Sequence, residues 1–249
     1  MRCRRSSTSS CSCSSFIEPN FLSSKKYGPE NDEHPQPTHV DVDGASNVLY
    51  GEELIASVFN ALTSSGLWDS TLFVVLFDEH GGTYDHFPPA GEAIPPDGVV
   101  IPPGAKGSSG FTFERYGVRV PAVVMSPWIP KGTIGNDQYD HTSIIRTVCS
   151  RFLPSGTHLG ARDVQATDLG ALLTATSART DLPTLQPRTP PPFDPTKLAT
   201  APLTDFQKQL LALGLQSMQS QYPEAVAQAG ASFETHADAW RIMDLFPQS

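Results

Sequence analysis

The sequence has no run of 18 or more apolar residues, so it is not expected to contain a transmembrane helix. A basic surplus is missing too. Seventeen Lys and Arg stand against 26 Asp and Glu, for a formal net charge of −9 and an isoelectric point near 5.1. Nucleic acid and anionic membrane faces both call for a basic patch, so neither is expected as a partner. A phosphate-ester substrate stays open, because a bound metal inverts the local sign. Cysteine is scarce as well. Three of the four, Cys3, Cys11 and Cys13, fall in the first fifteen positions, leaving Cys149 alone in sequence that reads as folded. That excludes a disulfide framework and a zinc-type cysteine spacing.

The first fifteen residues, MRCRRSSTSSCSCSS, carry three Arg, seven Ser and no acid. They lack the apolar stretch of about 7–15 residues that a secretory signal needs after its basic start. Two readings fit such a start: an organelle transit peptide, or a disordered or wrongly assigned N-terminus. A low apolar content cannot repay ordering entropy, so residues 1–15 are expected to carry no regular packed structure.

What is present suits one sizeable α/β domain, or one domain plus a tail, in 249 residues. After Gly51, Glu52 and Glu53 suit a helix's first turn. Leu54, Ile55, Val58, Phe59 and Leu62 then recur at helical spacing, and Gly66 is a stop. Leu72–Phe77 is an apolar run without alternation, as expected of a strand covered on both faces in a parallel sheet. Val118–Met125 is a second buried strand, weakened as a central one by Pro121. Asp140 or Thr142 caps a helix carrying Ile144, Ile145, Val148 and Phe152, and a shorter helix covers Leu169–Leu173. Residues 88–110 are a Pro/Gly-dense loop, 181–203 a Pro-rich linker or wrapping segment, and helices follow near Phe206–Leu215 and Ala237–Phe246.

The chemistry concentrates where the first strand ends. LFVVLF runs into Asp78, Glu79, His80, Gly81 and Gly82, and a second acid–histidine pair, Asp85-His86, follows. In open parallel sheets, ligands bind at the carboxyl ends of the strands. Unpaired carboxylates are costly to bury, and a divalent cation offsets that cost. Oxygen donors favour Mg²⁺, Ca²⁺ or Mn²⁺, and nearby imidazoles admit Zn²⁺ or Fe. On its own, a DEH cap on a strand is equally a surface turn.

Four segments give that cap a context: NDEHP at 31–35, LWDSTLFVVLFDEHGGTYDHFPP at 67–89, GVRVPAVVMSPWIPKGTI at 117–134 and YDHTSIIRTV at 139–148. In order and spacing they resemble the phosphoesterase family of bacterial phosphatidylcholine-type phospholipases C and related acid phosphatases, part of the alkaline-phosphatase-like group. The resemblance covers roughly residues 16–175. It implies a doubly wound α/β fold with a mostly parallel sheet, and members that are often secreted or periplasmic. It also implies that Asp78 and Glu79 ligate a divalent metal, and that His34 contacts the phosphoryl group or protonates the leaving alkoxide. His80, Asp85 and His86 would orient those ligands by hydrogen bonds. His141 resembles a site residue of the wider group; by itself it is equally a helix N-terminal residue, as His34 is equally a loop histidine before Pro35.

The resemblance also has a gap. The family's Glu-Asn-x-Ser-Phe-Asp segment and its Ser or Thr nucleophile have no counterpart upstream of Ser15, so the chain reads as the C-terminal half of the fold. The implied organisation is residues 16–180 as the phosphoesterase domain's C-terminal half, 181–203 as linker and 204–249 as a helical segment. Two functions are then expected. The first is a metal-dependent hydrolase of phosphoric esters, acting on a phospholipid or a soluble monoester. The second is an inactive remnant of that fold that binds a metal or a partner.

Overall fold

Local capping decides where most of the helices start. The computed structural model describes residues 13–24, 26, 28–34, 47–95, 113–230 and 232–246. Helix α1, Val48–Ser64, begins four residues ahead of Glu52, because the Asn47 side chain accepts from Leu49 N at 2.9 Å. Glu52 and Glu53 lie exposed on its surface, while Tyr50, Gly51, Ala56 and Phe59 are buried. The chain divides into two compact units, one built on Leu62–Pro183, the other joining Ile17–Ala61 to Thr184–Ser249.

The first unit holds the strands. β1, Phe73–Leu76, pairs with β2, Ala122–Met125, in the register Phe73↔Met125 to Leu76↔Ala122. The pairing is antiparallel, where the apolar runs led to an expectation of parallel strands. Neither strand is covered on both faces: β1 is half-buried with Leu76 exposed, and Val123 is 54% exposed. A parallel partner was inferred from continuous apolarity, yet apolarity reports burial demand and not strand direction. Pro121 stands just before β2, and its carbonyl accepts from Phe77 N at 3.3 Å, so the contact continues one step past the ladder through a residue with no N–H to lose.

α2, Thr142–Phe152, is capped by Asp140, whose Oδ1 accepts from Thr142 N at 2.7 Å. Its fully buried residues are Ser143 and Cys149, while Ile144, Ile145 and Val148 are half-buried and Phe152 is exposed. α3, Ala161–Gln165, and a 3₁₀ turn at Leu169–Leu172 pack on α2. Leu169 N donates to Thr147 Oγ1 at 2.9 Å, which ties that turn to the helix.

The second unit is helical. The stretch 184–191 straps α1: Asn60 exchanges two 2.9 Å hydrogen bonds with the backbone of Leu185, and the Tyr50 hydroxyl donates to the Pro191 carbonyl. The expected linker thus includes a wrapping stretch, and it also contains α4, Pro195–Leu198, whose Leu198 is 0% exposed. α5 (Asp205–Met218), α6 (Pro223–Ala229) and α7 (His236–Met243) follow. Capping boxes at Thr204/Gln207 and Thr235/Asp238 start α5 and α7. Leu22, Leu203, Leu211, Ala229, Phe233, Ala239 and Ile242 form this unit's core.

The expectation for residues 1–15 lies outside the described residues except at 13–15, which are exposed and without regular structure. Most of the 88–110 loop lies outside them too. Among the described residues no helix is long and apolar enough to cross a membrane.

Candidate functional site

The residues of the first unit expected in a site lie on and around the loop that follows β1. Asp78 lies two residues past the strand, after Phe77, is exposed and makes no hydrogen bond or ion pair with any described residue. Glu79 is turned back on its own loop: Oε2 accepts from Gly81 N at 2.8 Å and lies 3.5 Å from His80 Nδ1. Gly81 and Gly82 both sit at φ 68°, the left-handed region that a side chain disfavours, and this is what reverses the chain so soon after the strand. Thr83 closes the turn, its Oγ1 donating to the His80 carbonyl at 2.6 Å.

His141 arrives from a different element. It stands at the start of α2, and its Nε2 lies 3.1 Å from the Phe77 carbonyl, the last one before Asp78. A carbonyl only accepts, so Nε2 carries the proton and Nδ1 keeps its lone pair when the ring is neutral. Sixty-four residues of separation are thereby closed at the strand end.

The DH pair behaves differently. Asp85 directs its carboxylate at Arg119, not at Asp78 or Glu79. The Arg119 hydrogen bonds come first among the causes that hold the Asp85 carboxyl well below the ordinary carboxylate range, with Phe87 N adding to them. His86 is exposed, with Nδ1 3.7 Å from Asp85 Oδ1. An open cavity of about 330 Å³ lies beside the loop, lined by His80, Thr83, Tyr84, Asp85, Arg119 and Pro121 among others.

His34 belongs to the second unit. Its ring stacks on Phe206 of α5, centroids 5.1 Å apart and planes 3° from parallel. Its neighbours Asp32 and Glu33 are acids under strain. Burial raises the pKa of both, and for Glu33 the charges of Glu52 and Asp32 push the same way. Glu33 also has a φ of 60°. Its side chain lies across Gly51 of α1, where an added Cβ would collide with its Cγ. That close approach explains a glycine inside a helix. Nearby in sequence, Glu30 is 2% exposed and its Oε1 gathers Ser23 Oγ (3.2 Å), Gln207 Nε2 (2.8 Å) and His236 Nε2 (3.4 Å).

As a metal site the strand end is incomplete. Asp78 and Glu79 are the hard oxygen donors that Mg²⁺, Ca²⁺ or Mn²⁺ take. Among the described residues, however, no three His, Cys, Asp or Glu side chains are grouped to hold an ion. Two carboxylates do not make a full coordination sphere.

Sequence reasoning missed Arg119 and Gly51. Arg119 sits between two valines just before β2, and its partner is 34 residues away, so no local period marks it. Gly51 was taken as the point just before the helix, whereas α1 starts at Val48 and contains it.

With this geometry in view, the likenesses to known proteins are specific. A profile of the Phosphoesterase family matches residues 13–153. Non-specific phospholipase C3 of Arabidopsis thaliana is 37% identical over 206 residues, covering 78% of this chain and 37% of its own length. Non-specific phospholipase C6 of the same plant is 35% identical over 206 residues, 79% of this chain and 37% of its own. The non-hemolytic phospholipase C of Pseudomonas aeruginosa is 34% identical over 122 residues, 44% of this chain and 18% of its own. The chain thus spans about a third of the length of the plant relatives it matches. Both the family profile and the plant relatives cover most of it, and the chain belongs to the Phosphoesterase family.

Proposed function

We propose that this chain carries part of the active site of a phosphoric ester hydrolase of the phospholipase C or acid phosphatase type. The observation that supports it most is the end of β1, where Asp78, Glu79 and His80 leave the strand and His141 is tied to the last carbonyl before them. Asp78 and Glu79 are assigned to a divalent ion, completed by donors outside the described residues. Such an ion, when bound, stabilises charge on the transferring phosphoryl group. His141 presents Nδ1 as an acceptor, and His80 sits beside Glu79 to hold its orientation. His34 is assigned to the phosphoryl group or the leaving oxygen on the NDEHP motif alone. No hydroxyl of this chain is assigned as nucleophile. The sheet in this reading is doubly wound and mostly parallel, with β2 as the antiparallel neighbour that such sheets often carry at an edge.

The relatives are named for phospholipase C activity, which favours a phospholipid over a soluble monoester as substrate. A second reading, an inactive remnant that binds a metal or a partner, is favoured by the incomplete donor set. One experiment separates them. The 249-residue chain replaces its matching region in non-specific phospholipase C3 of Arabidopsis thaliana, and the chimera is assayed with phosphatidylcholine and p-nitrophenyl phosphate, with and without divalent ions. The hydrolase reading expects metal-dependent turnover that falls by about a thousandfold or more in Asp78→Ala, because groups acting as one catalytic unit fail together. A chimera without turnover, or turnover indifferent to Asp78→Ala, supports the remnant.

A further inference from the structure

The loop that carries the site acids is anchored at both ends to one short segment. At its near end, Phe77 N donates to the Pro121 carbonyl at 3.3 Å. At its far end, Arg119 Nε donates to Asp85 Oδ2 at 2.8 Å and Nη2 donates to Asp85 Oδ1 at 2.7 Å. Phe87 N adds a third bond to Asp85 Oδ1 at 3.0 Å, and the guanidinium lies 5.0 Å from the centre of the Phe87 ring. Residues 77–85 and 119–121 therefore form a closed ring. Within it stand Asp78, Glu79 and His80.

We propose that Arg119 is a positioning residue: through its fork on Asp85 it sets where Glu79 and His80 point. The assignment rests on the reading of Asp78–His80 as site residues, while its test reads neither metal nor turnover. Two parallel hydrogen bonds fix both the distance and the angle of the Asp85 carboxylate relative to residue 119, which a single bond leaves free. Residue 119 in turn lies three positions before β2, and β2 is in register with β1. The far end of the loop is thus referenced to the same strand pair as its start. Inside the ring the turn is made by two glycines and by short bonds, Gly81 N to Glu79 Oε2 and Thr83 to the His80 carbonyl. Glycine turns have little stiffness of their own, so the placement of Glu79 depends on how firmly the ring is closed. The fork is what an arginine supplies and a lysine does not. Asp85, with both oxygens engaged, is used up by this role and is no candidate ligand.

Residue-resolved amide exchange on the 249-residue chain tests this. Arg119→Met keeps the stem over Phe87 and removes the fork; Arg119→Lys keeps the charge and one donor; Asp85→Asn weakens the acceptor. In Arg119→Met, exchange at Gly81, Thr83 and Phe87 is expected to speed up about tenfold. The Thr71 and Ile129 amides, bonded within the same unit outside the ring, are expected to stay unchanged. Asp85→Asn should repeat the pattern and Arg119→Lys should recover part of the protection. Unchanged exchange at Gly81 and Thr83 in Arg119→Met would overturn the proposal. Equal acceleration at Thr71 and Ile129 would also overturn it, because it would mark a general loss of stability. So would a lysine variant no better than methionine, which would reduce Arg119 to a packing residue.

Discussion

Two regions of this chain collect acids, and they handle them in opposite ways. At the end of β1 Asp78 and Glu79 are exposed, Glu79 is bonded to the backbone of its own turn, and the half-buried Asp85 is paired with Arg119. In the 30–34 segment the acids are buried or half-buried, with Glu30 sunk among Ser23, Gln207 and His236, and with Asp32 and Glu33 pushed toward the protonated form. Exposed charge costs little to keep and is available to a ligand. Buried charge is costly unless it is bonded, and it then serves to hold the unit together. On the proposed reading the acids of the first region serve a ligand, while Glu30 and its partners hold the second unit together.

The largest expected effect is in the buried region. Glu30→Ala leaves the Gln207 amide and the His236 ring buried without their shared acceptor, and is expected to cost about 3 kcal/mol in urea unfolding. A loss under about 0.5 kcal/mol would place Glu30 with the exposed acids. Next is Gly51. Alanine raises helix propensity by about 1 kcal/mol, but its Cβ meets the Glu33 side chain, and overpacking costs about 1–3 kcal/mol. Gly51→Ala alone is therefore expected to destabilise, and Gly51→Ala with Glu33→Ala to stabilise. A single variant more stable than the wild type would show that Glu33 simply swings aside.

The dependence on pH separates the regions further. Burial, then Glu52 and Asp32, raise the folded pKa of Glu33, so the native state binds the extra proton. Its contribution worsens as pH rises from the ordinary glutamate value of 4.5 through the raised folded value, and Glu33→Gln is expected to raise the melting temperature at neutral pH. Asp238 is the opposite case. Hydrogen bonds from the Thr235 and Glu234 backbone hold its carboxyl low, so its stabilisation is present above pH 3.8 and is lost as pH falls through the lower folded value. Melting curves in acid should flatten in Asp238→Asn. The smallest effect belongs to the exposed pair: Arg119→Met is expected to leave the melting temperature within about 2 °C, as a surface ion pair does, even while the loop loosens.

Much of this was legible in the sequence. The periodic run after Gly51, Thr204 and Thr235 ahead of acids or amides, and Asp140 before Thr142 all signal helices, because capping and periodicity act within a few residues. LFVVLF gave a strand and DEHGG gave its charged end. Strand direction was not legible, because Phe73↔Met125 pairs positions 52 residues apart and no local pattern encodes that register. The Asp85–Arg119 fork and the Glu30–Gln207–His236 cluster stayed hidden for the same reason: their partners lie 34, 177 and 206 residues away. The family resemblance gave His86 a role in orienting the acids. The structure exposes it, since Asp85 turns to Arg119 instead.

The central proposal is that the metal donors are the acids of the strand end and not Glu30, Asp32 and Glu33. Titrating the chain with Mn²⁺ and following amide signals by NMR tests it most directly, because the paramagnetic ion broadens only what lies near it, and Mn²⁺ takes carboxylate donors. Weak binding is expected, with the signals of Asp78 through Gly82 and of His141 broadened first. Broadening centred on Asp32 and Glu33, or spread evenly over the acidic surface, would contradict the account.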